Sequence, residues 1–258
     1  MIKGLAPGTI LQFIFIRNRL LKNISKGKKF LEIGSGNGHL SNLLLKIGYV
    51  GQGIDLNESA CENNKTLNQK WIENGNYIVH NKDFNTSNFK EFDFVISSMV
   101  LEHLANNELK IFIQNAINSI SNEGKLIFLV PSNMSAWGIE DEIAGHVKRY
   151  TFNDIAELAK DNGLNVDYKC GLNYPVSNLL LSLSNRIVKK NESSILDKNN
   201  IEKTVYTGNR VVKYKTVFPT YLNILLNEIS LLPFHLMQLA NLKNEKSLVM
   251  YFELSKKN

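Results

Sequence analysis

The sequence predicts a doubly wound α/β fold carrying a helical cap. Three observations predict it. Short apolar runs alternate with helical patterns through the first two-thirds of the chain, as in sheets built from βα units. The run FLEIGSGNGHLS, residues 30–41, sets alternating glycines between a strand and a helix. Acids stand at the ends of three successive strands, the edge where open α/β sheets bind ligands.

The elements follow in order. MIKGLAPGTILQFIFIRNRLL has an apolar stretch interrupted by Arg17 and Arg19 with no cleavage site after it, which predicts an amphipathic helix rather than a leader. Strands are expected at 29–34, 51–56, 77–80, 92–97 and 125–131, with helices near 38–47, 57–73 and 107–121. In the last of these Leu109, Phe112, Ile113, Ala116, Ile117 and Ile120 repeat at the helical period. TFNDIAELAKDNGL reads as a helix from an N-cap at Thr151 or Asn153 to a stop at Gly163, followed by a strand in NVDYKC, 165–170.

After Tyr174 the pattern changes. Residues 175–246 hold two apolar helical stretches, 175–188 and 219–240, separated by a polar, basic stretch at 189–215. Asn223, Asn227, Glu228 and Pro233 interrupt the longer one, so a membrane-spanning helix is not expected. SLVMYFEL, 247–254, would return to the sheet. The organisation expected is therefore 1–174 with 247–258 as one unit and 175–246 as a cap.

Composition narrows the class. The 258 residues are 43% hydrophobic and 21% charged, a balance that buries a core and excludes a disordered chain. Cys61 and Cys170 are too few for a disulfide framework or a structural zinc site, which points to a reducing, cytoplasmic setting. The net charge of +6 is moderate and the basic residues are spread rather than striped, which argues against nucleic acid as a partner. It fits an anionic small molecule, or peripheral association with a membrane surface; oligomeric state is left open.

A dinucleotide loop needs glycine at its first, third and sixth positions. Here Gly34, Gly36 and Gly38 take the first, third and fifth, with Ser35 and Asn37 between them and His39 sixth. Glu32 would repel a pyrophosphate and attract a cation, which favours a small ligand bearing an amino group. Asp55, beside Leu56, offers a carboxylate to both hydroxyls of a ribose, and Asp83 and Phe84 offer an acceptor and an aromatic face to a base. Taken singly, each has an ordinary reading: a tight turn, a helix cap, a loop aspartate.

Together the acids trace amino acid, ribose and adenine. EIGSGNG, GIDL, KDF and FDFVISSMVLEHL, in that order over residues 29–131, resemble the successive motifs of the class I S-adenosylmethionine-dependent methyltransferases. The resemblance implies S-adenosyl-L-methionine as cofactor and a Rossmann-like sheet of six parallel strands with an antiparallel seventh. It also implies cofactor contacts from Glu32, Gly34 to Gly38, Asp55, Leu56, Asp83, Phe84 and Ser97.

Methyl transfer to a hydroxyl needs a positioned acceptor and a group to take its proton. His103, in LEHL, and His146, in GHVKRY, both follow strands at the cofactor edge, and histidine titrates in the right range. A capping role for His103 and a solvated basic turn around His146 are the plainer readings. Glu102, Lys148, Arg149 and Tyr150 are expected to contact substrate. GHVKRY resembles a HVRRY signature of methyltransferases associated with surface-polysaccharide clusters, which implies a sugar, nucleotide-linked or phosphate-derived acceptor in capsule or lipopolysaccharide synthesis. A lipid or quinone acceptor, and a non-catalytic S-adenosylmethionine-binding partner protein, are the alternatives. Glu102, His103, Glu140, Asp141, Glu142 and His146 are metal-capable. Some quinone-biosynthesis methyltransferases carry a further glutamate three residues before the Glu-His pair, where Met99 stands here, so no metal is expected. Arg17 and Arg19 would either reach the cofactor carboxylate or form surface salt bridges.

Overall fold

Alternate residues of β1 (Lys29–Ile33) feed two cores: Leu31 and Ile33 join the cluster on one face of the sheet, Phe30 the cluster on the other. A strand apolar on both faces belongs inside a covered parallel sheet. The computed structural model describes residues 2–198, 203, 212 and 214–257, so most of the basic stretch expected at 189–215 lies outside the described residues.

β2 (Val50–Asp55), β3 (Tyr77–Asn81), β4 (Phe92–Ser98), β5 (Ile120–Pro131), β6 (Leu164–Leu172) and β7 (Val249–Lys256) complete one sheet in the order β3-β2-β1-β4-β5-β7-β6. β1 to β5 pair in parallel, and β7 runs antiparallel between β5 and β6. The predicted sheet is therefore the observed one. β5 starts earlier than expected because Ile120 pairs with Phe92 across a register shift, which also ends the preceding helix sooner. Strand order reverses between β1 and β4, and a reversal of this kind opens a crevice at the strands' carboxyl ends.

α2 (His39–Lys46) packs Leu40, Leu43, Leu44 and Leu45 on one face of the sheet, with α3 (Glu58–Glu73) beside β3. α4 (Asn106–Ser119) and α6 (Phe152–Asp161) cover the other face through Phe112, Ile113, Ala116, Ile155 and Ala159. Burial of each leucine, isoleucine and phenylalanine here contributes about 1.5–3 kcal/mol. Thr151 caps α6, accepting from the Asp154 N–H at 3.2 Å, while Asp154 accepts from the Thr151 N–H at 2.7 Å.

Two expectations are corrected. α1 (Pro7–Asn23) is not amphipathic: Ile10 to Ile16 are buried without interruption. Phe13, Phe15, Ile16 and Leu20 face the sheet, and Ile10, Leu11 and Ile14 meet Val176, Leu226 and Leu231 from the 175–246 stretch. The expected helix at 219–240 is broken into a 3-10 turn at Thr220–Ile224 and a separate helix at Leu232–Ala240. Asn227 breaks it by donating to the carbonyls of Asn223 (2.9 Å) and Ile224 (2.7 Å) and accepting from the N–H of Ile229 (2.9 Å). A short polar side chain satisfies backbone groups that a helix would otherwise use.

Two further helices flank the cleft. α5 (Ile139–Ala144), which the sequence reading left unassigned, ends at Gly145 in the left-handed region, φ 70°. α7 (Val176–Glu192) packs against it, with Ile143, Val188 and Ile195 forming a small core. The helix at Leu232–Ala240 is α8.

Candidate active site

The glycine loop leaves β1 and enters α2. Gly34, Gly36 and Gly38 all have positive φ, at 73°, 47° and 79°. A Cβ at Gly34 would collide with Val100 and one at Gly38 with Asn64, whereas at Gly36 it would meet nothing within 4 Å. Two glycines are thus required by close neighbours, and the middle one leaves its backbone open to the cleft. The Gly34 and Ser35 N–H groups donate to Ile54 O at 2.9 and 3.1 Å, and Asn37 Oδ1 accepts from Asn63 at 3.0 Å.

Beneath the loop lies a buried polar network. Ser41 Oγ donates to Glu32 and contacts Tyr77 Oη at 2.6 Å; Asn64 donates to Ser35 Oγ at 3.1 Å and to Tyr77 Oη at 3.2 Å; Asn68 donates to Asn64 at 2.8 Å. Burial pushes the Glu32 carboxyl up to about 8, with the Ser41 bond opposing and the charge of Asp55 adding to the rise. In this structure Glu32 is buried and braces the loop through Ser41. Asn64 and Asn68 escaped the sequence reading; their i, i+4 spacing on α3 was the available signal.

At the end of β2, Asp55 accepts from the Gly36 N–H (2.8 Å) and the Asn57 N–H (2.8 Å), tying the glycine loop to the next turn. Its carboxylate stands at the crevice, and Leu56 beside it is 69% exposed, an apolar shelf. Asp83 caps the 3-10 turn Phe84–Thr86, accepting from the Asn85 N–H at 2.8 Å, and is exposed. Phe84 is core: it is buried among Phe89 and Phe112, so its ring is no platform for a base. Ser97 is also inaccessible, donating from Oγ to Ile33 O at 2.9 Å between β1 and β4. Open backbone at Gly36, a ribose-ready carboxylate at Asp55 and an apolar shelf at Leu56 fit S-adenosylmethionine.

Across the crevice, His103 and His146 come together, their rings edge to face with centroids 4.8 Å apart. Gly145 turns the chain after α5 and brings His146 Nδ1 to Asp141 Oδ1 at 2.9 Å. Arg149 clamps the same carboxylate from its other side, Nε at 2.8 Å and Nη2 at 3.0 Å, and the Gly138 N–H donates to it at 2.9 Å. Burial alone would raise the Asp141 carboxyl, but the His146 and Arg149 bonds hold it below the usual range. Asp141 is thus the hub of the site, a role the sequence reading missed when it weighed this residue only as a metal ligand.

With Nδ1 engaged, His146 turns Nε2 towards Glu102 Oε1, 3.8 Å away and beyond hydrogen-bond range. Glu102 is 0% exposed and, among the described residues, neither carboxyl oxygen has a hydrogen-bond partner. Burial pushes its carboxyl up to about 8, and the charge of Asp141 adds to the shift. His103 moves the other way: burial and the neighbouring His146 hold its imidazole down at about 3, so it is neutral at physiological pH. Glu102, His103 and His146 offer one donor atom each within 4.8 Å of one another. His146 thereby supplies a third donor beside the Glu-His pair, so Met99 in place of an acid does not by itself exclude a cation.

The expected substrate contacts are largely committed elsewhere. Arg149 is buried against Asp141, and Lys148 pairs with Asp154 at 2.6 Å. Tyr150 is buried and donates to Leu101 O at 3.1 Å. Arg17 and Arg19 pair with Glu228 and Glu253 at 2.5 and 2.7 Å, resolving their two readings in favour of salt bridges. α7 reaches the site indirectly: Ser184 and Lys215 both contact Glu140 on α5, at 3.3 and 2.8 Å.

Residues 12–169 match a family described as a methyltransferase domain. A Coxiella burnetii protein named as a ubiquinone biosynthesis O-methyltransferase is 32% identical over 103 residues, 40% of this chain and 43% of its own. The mitochondrial protein of the same name from Rattus norvegicus is 28% identical over 186 residues, 62% and 53% of the two chains. The chain therefore spans about half the length of the curated relatives it matches, or less. Magnesium protoporphyrin IX methyltransferase from Synechocystis, solved with S-adenosylhomocysteine, superposes with a TM-score of 0.55 at 20% identity, covering 64% of this chain and 77% of that one. A structure from Bacillus halodurans described as a putative methyltransferase gives 0.57 at 14% identity over 97% and 100%. The polysaccharide likeness of GHVKRY gains no support from these relatives.

Proposed function

The chain belongs to the methyltransferase-domain family and has the class I S-adenosylmethionine-dependent fold, and on that premise we propose that it methylates a hydroxyl oxygen of a small, largely apolar acceptor of phenol or quinol type. S-adenosylmethionine supplies a methyl group on a sulfonium. The chain holds the cofactor at Gly36, Asp55 and Leu56 in the unit 1–174 with 247–258, while 175–246 serves as the cap on the acceptor side. Its remaining work is to orient the hydroxyl and take its proton as the new O–C bond forms.

The observation that carries this reading is the Asp141–His146 pair. Asp141 fixes the imidazole with its proton on Nδ1, which leaves the Nε2 lone pair directed into the site as a proton acceptor. The imidazolium that results is supported by a carboxylate that Arg149 keeps ionised. Glu102, neutral below about pH 8, and neutral His103 make a wall without net charge, suited to a phenol more than to a phosphate. The capsule-precursor reading rested on the likeness of GHVKRY to a HVRRY signature, and the two cations of that motif, Lys148 and Arg149, are both engaged by acids. The names of the curated relatives point in the same direction.

His146→Ala is expected to lower turnover by roughly 10²–10⁴-fold with cofactor affinity unchanged, and His103→Ala by much less. The assay uses catechol and quinol acceptors beside nucleotide sugars. Methylation of the sugars alone would overturn the acceptor class, and loss of only a few-fold in His146→Ala would overturn the base. The spacing of Glu102, His103 and His146 favours a second reading in which a divalent cation holds the acceptor oxygen. Activity that survives a chelator keeps His146 as the base; activity lost and restored by manganese assigns the cluster to a cation.

A further inference from the structure

α8 is inverted. Its buried side chains are the polar His235 and Gln238, and its exposed ones are Leu232, Phe234, Leu236, Met237 and Leu239. The inward pair is satisfied: Gln238 accepts from the Asn173 N–H at 2.7 Å, and its Nε2 is 3.3 Å from His235 Nδ1. Burial holds the His235 imidazole below its ordinary value, so the inward face is neutral. The segment leading into the helix continues the pattern, with Ile224 and Ile229 exposed at 77% and 71%. Between Val217 and Leu242 the one charged residue is Glu228, which Arg17 neutralises.

A helix facing water places its polar residues outward, and clustered exposed apolar side chains mark an interaction surface. The surface therefore fits an apolar medium, and no helix among the described residues is long and apolar enough to cross a membrane. Charge identifies the medium. Residues 175–246 carry ten lysines and arginines against five acids, so five of the chain's six net positive charges lie in this stretch. Exposed Lys243 and Lys246 follow α8 within six residues, with exposed Glu245 between them, and exposed Lys3 bridges by its backbone to Asn227. Apolar side chains bordered by lysines are the composition of a segment lying in the headgroup region of an anionic bilayer.

We propose that residues 217–242 dock this protein on the surface of an anionic lipid membrane, with α8 in the interface plane and Lys243 and Lys246 among the headgroups. The docking does not depend on the acceptor class proposed above. The test is co-sedimentation of the full chain with phosphatidylcholine vesicles, with and without phosphatidylglycerol. Binding is expected to be about tenfold or more stronger on the anionic vesicles and to weaken with salt. Leu236→Glu combined with Met237→Glu, both at exposed positions, should abolish it, and Lys243→Glu combined with Lys246→Glu should remove the preference for anionic lipid. Calorimetric binding of S-adenosylhomocysteine reports that each variant is folded. Protein left in the supernatant with both vesicles, or binding unaffected by the two glutamates on α8, overturns the proposal. So does a dimer that the α8 variant dissociates while vesicle binding is absent, because the face then belongs to a second copy. Vesicle binding needs neither cofactor nor acceptor, so its failure is distinguishable from failure of the methylation assay.

Discussion

The cofactor edge and the cap treat polarity in opposite ways. Under the glycine loop, polar side chains are buried and satisfy one another: Glu32 with Ser41, Ser41 with Tyr77, Asn64 with Ser35 and Asn68. In the cap, Gln238 and His235 are also buried and partnered, but the residues left outside are leucines, isoleucines and Phe234. The first region is completed by its own chain. The second is completed only by something the chain meets. A buried network rigidifies what it holds, because each unpaired group would cost about 1–3 kcal/mol. An exposed apolar face constrains nothing until its partner arrives.

The comparison breaks most sharply at Asp55. If the cofactor edge is self-contained, Asp55→Ala should both loosen the loop at Gly36 and remove the acceptor for a ribose. Loss of charge-assisted bonds at about 1.5–3 kcal/mol each should weaken S-adenosylhomocysteine by roughly 10²-fold or more, read by calorimetry. Affinity unchanged within a few-fold would detach Asp55 from the cofactor.

Glu102 tests the acceptor edge, where the comparison is least clear-cut because a buried carboxyl there lacks hydrogen-bond partners. Its folded value of about 8 lies above the ordinary 4.5, so the folded chain binds the extra proton. The stability this confers is complete below about pH 4.5 and is lost as pH rises to about 8, at up to about 1.4 kcal/mol per unit. Glu32 adds the same slope. Thermal melts of Glu102→Gln should therefore fall less steeply than wild type between those limits; parallel curves would place the proton elsewhere.

The smallest effect belongs to Lys148, exposed and paired with Asp154. Lys148→Ala should alter stability by about 1 kcal/mol at most and the Michaelis constant by less than about twofold. A large rise in that constant would return the lysine to the substrate and reopen the anionic acceptor.

Features fixed by local chemistry were legible from sequence. Alternating glycines, acids at strand ends and the Thr151 cap depend on neighbours a few residues away, and they stand where the patterns placed them. Features decided by distant packing were not. An apolar helix reads the same whether one side or both are covered, and only the packing of Ile10, Leu11 and Ile14 on Val176, Leu226 and Leu231 separates α1 from an amphipathic helix. Phe84 follows an acid at a strand end in the manner of a base platform, but spacing does not say that its ring turns inward to Phe112. Asp141 was hidden by the left-handed turn at Gly145, which folds His146 and Arg149 back on one carboxylate.

The double burial of α1 has a consequence for how the chain is made. Pro7–Asn23 leaves the ribosome well before its partners, yet Phe15 packs on Tyr251, Arg19 pairs with Glu253 and Arg17 with Glu228. Those partners lie more than 200 residues further along the chain. At about 5–20 residues per second, the apolar run Ile10–Ile16 waits many seconds for them, exposed while the parallel strands are still being assembled. Nascent chains stalled before Val249 should accordingly bind holdase chaperones through this segment and release them only after β7 has emerged. A segment translated early finds its place late.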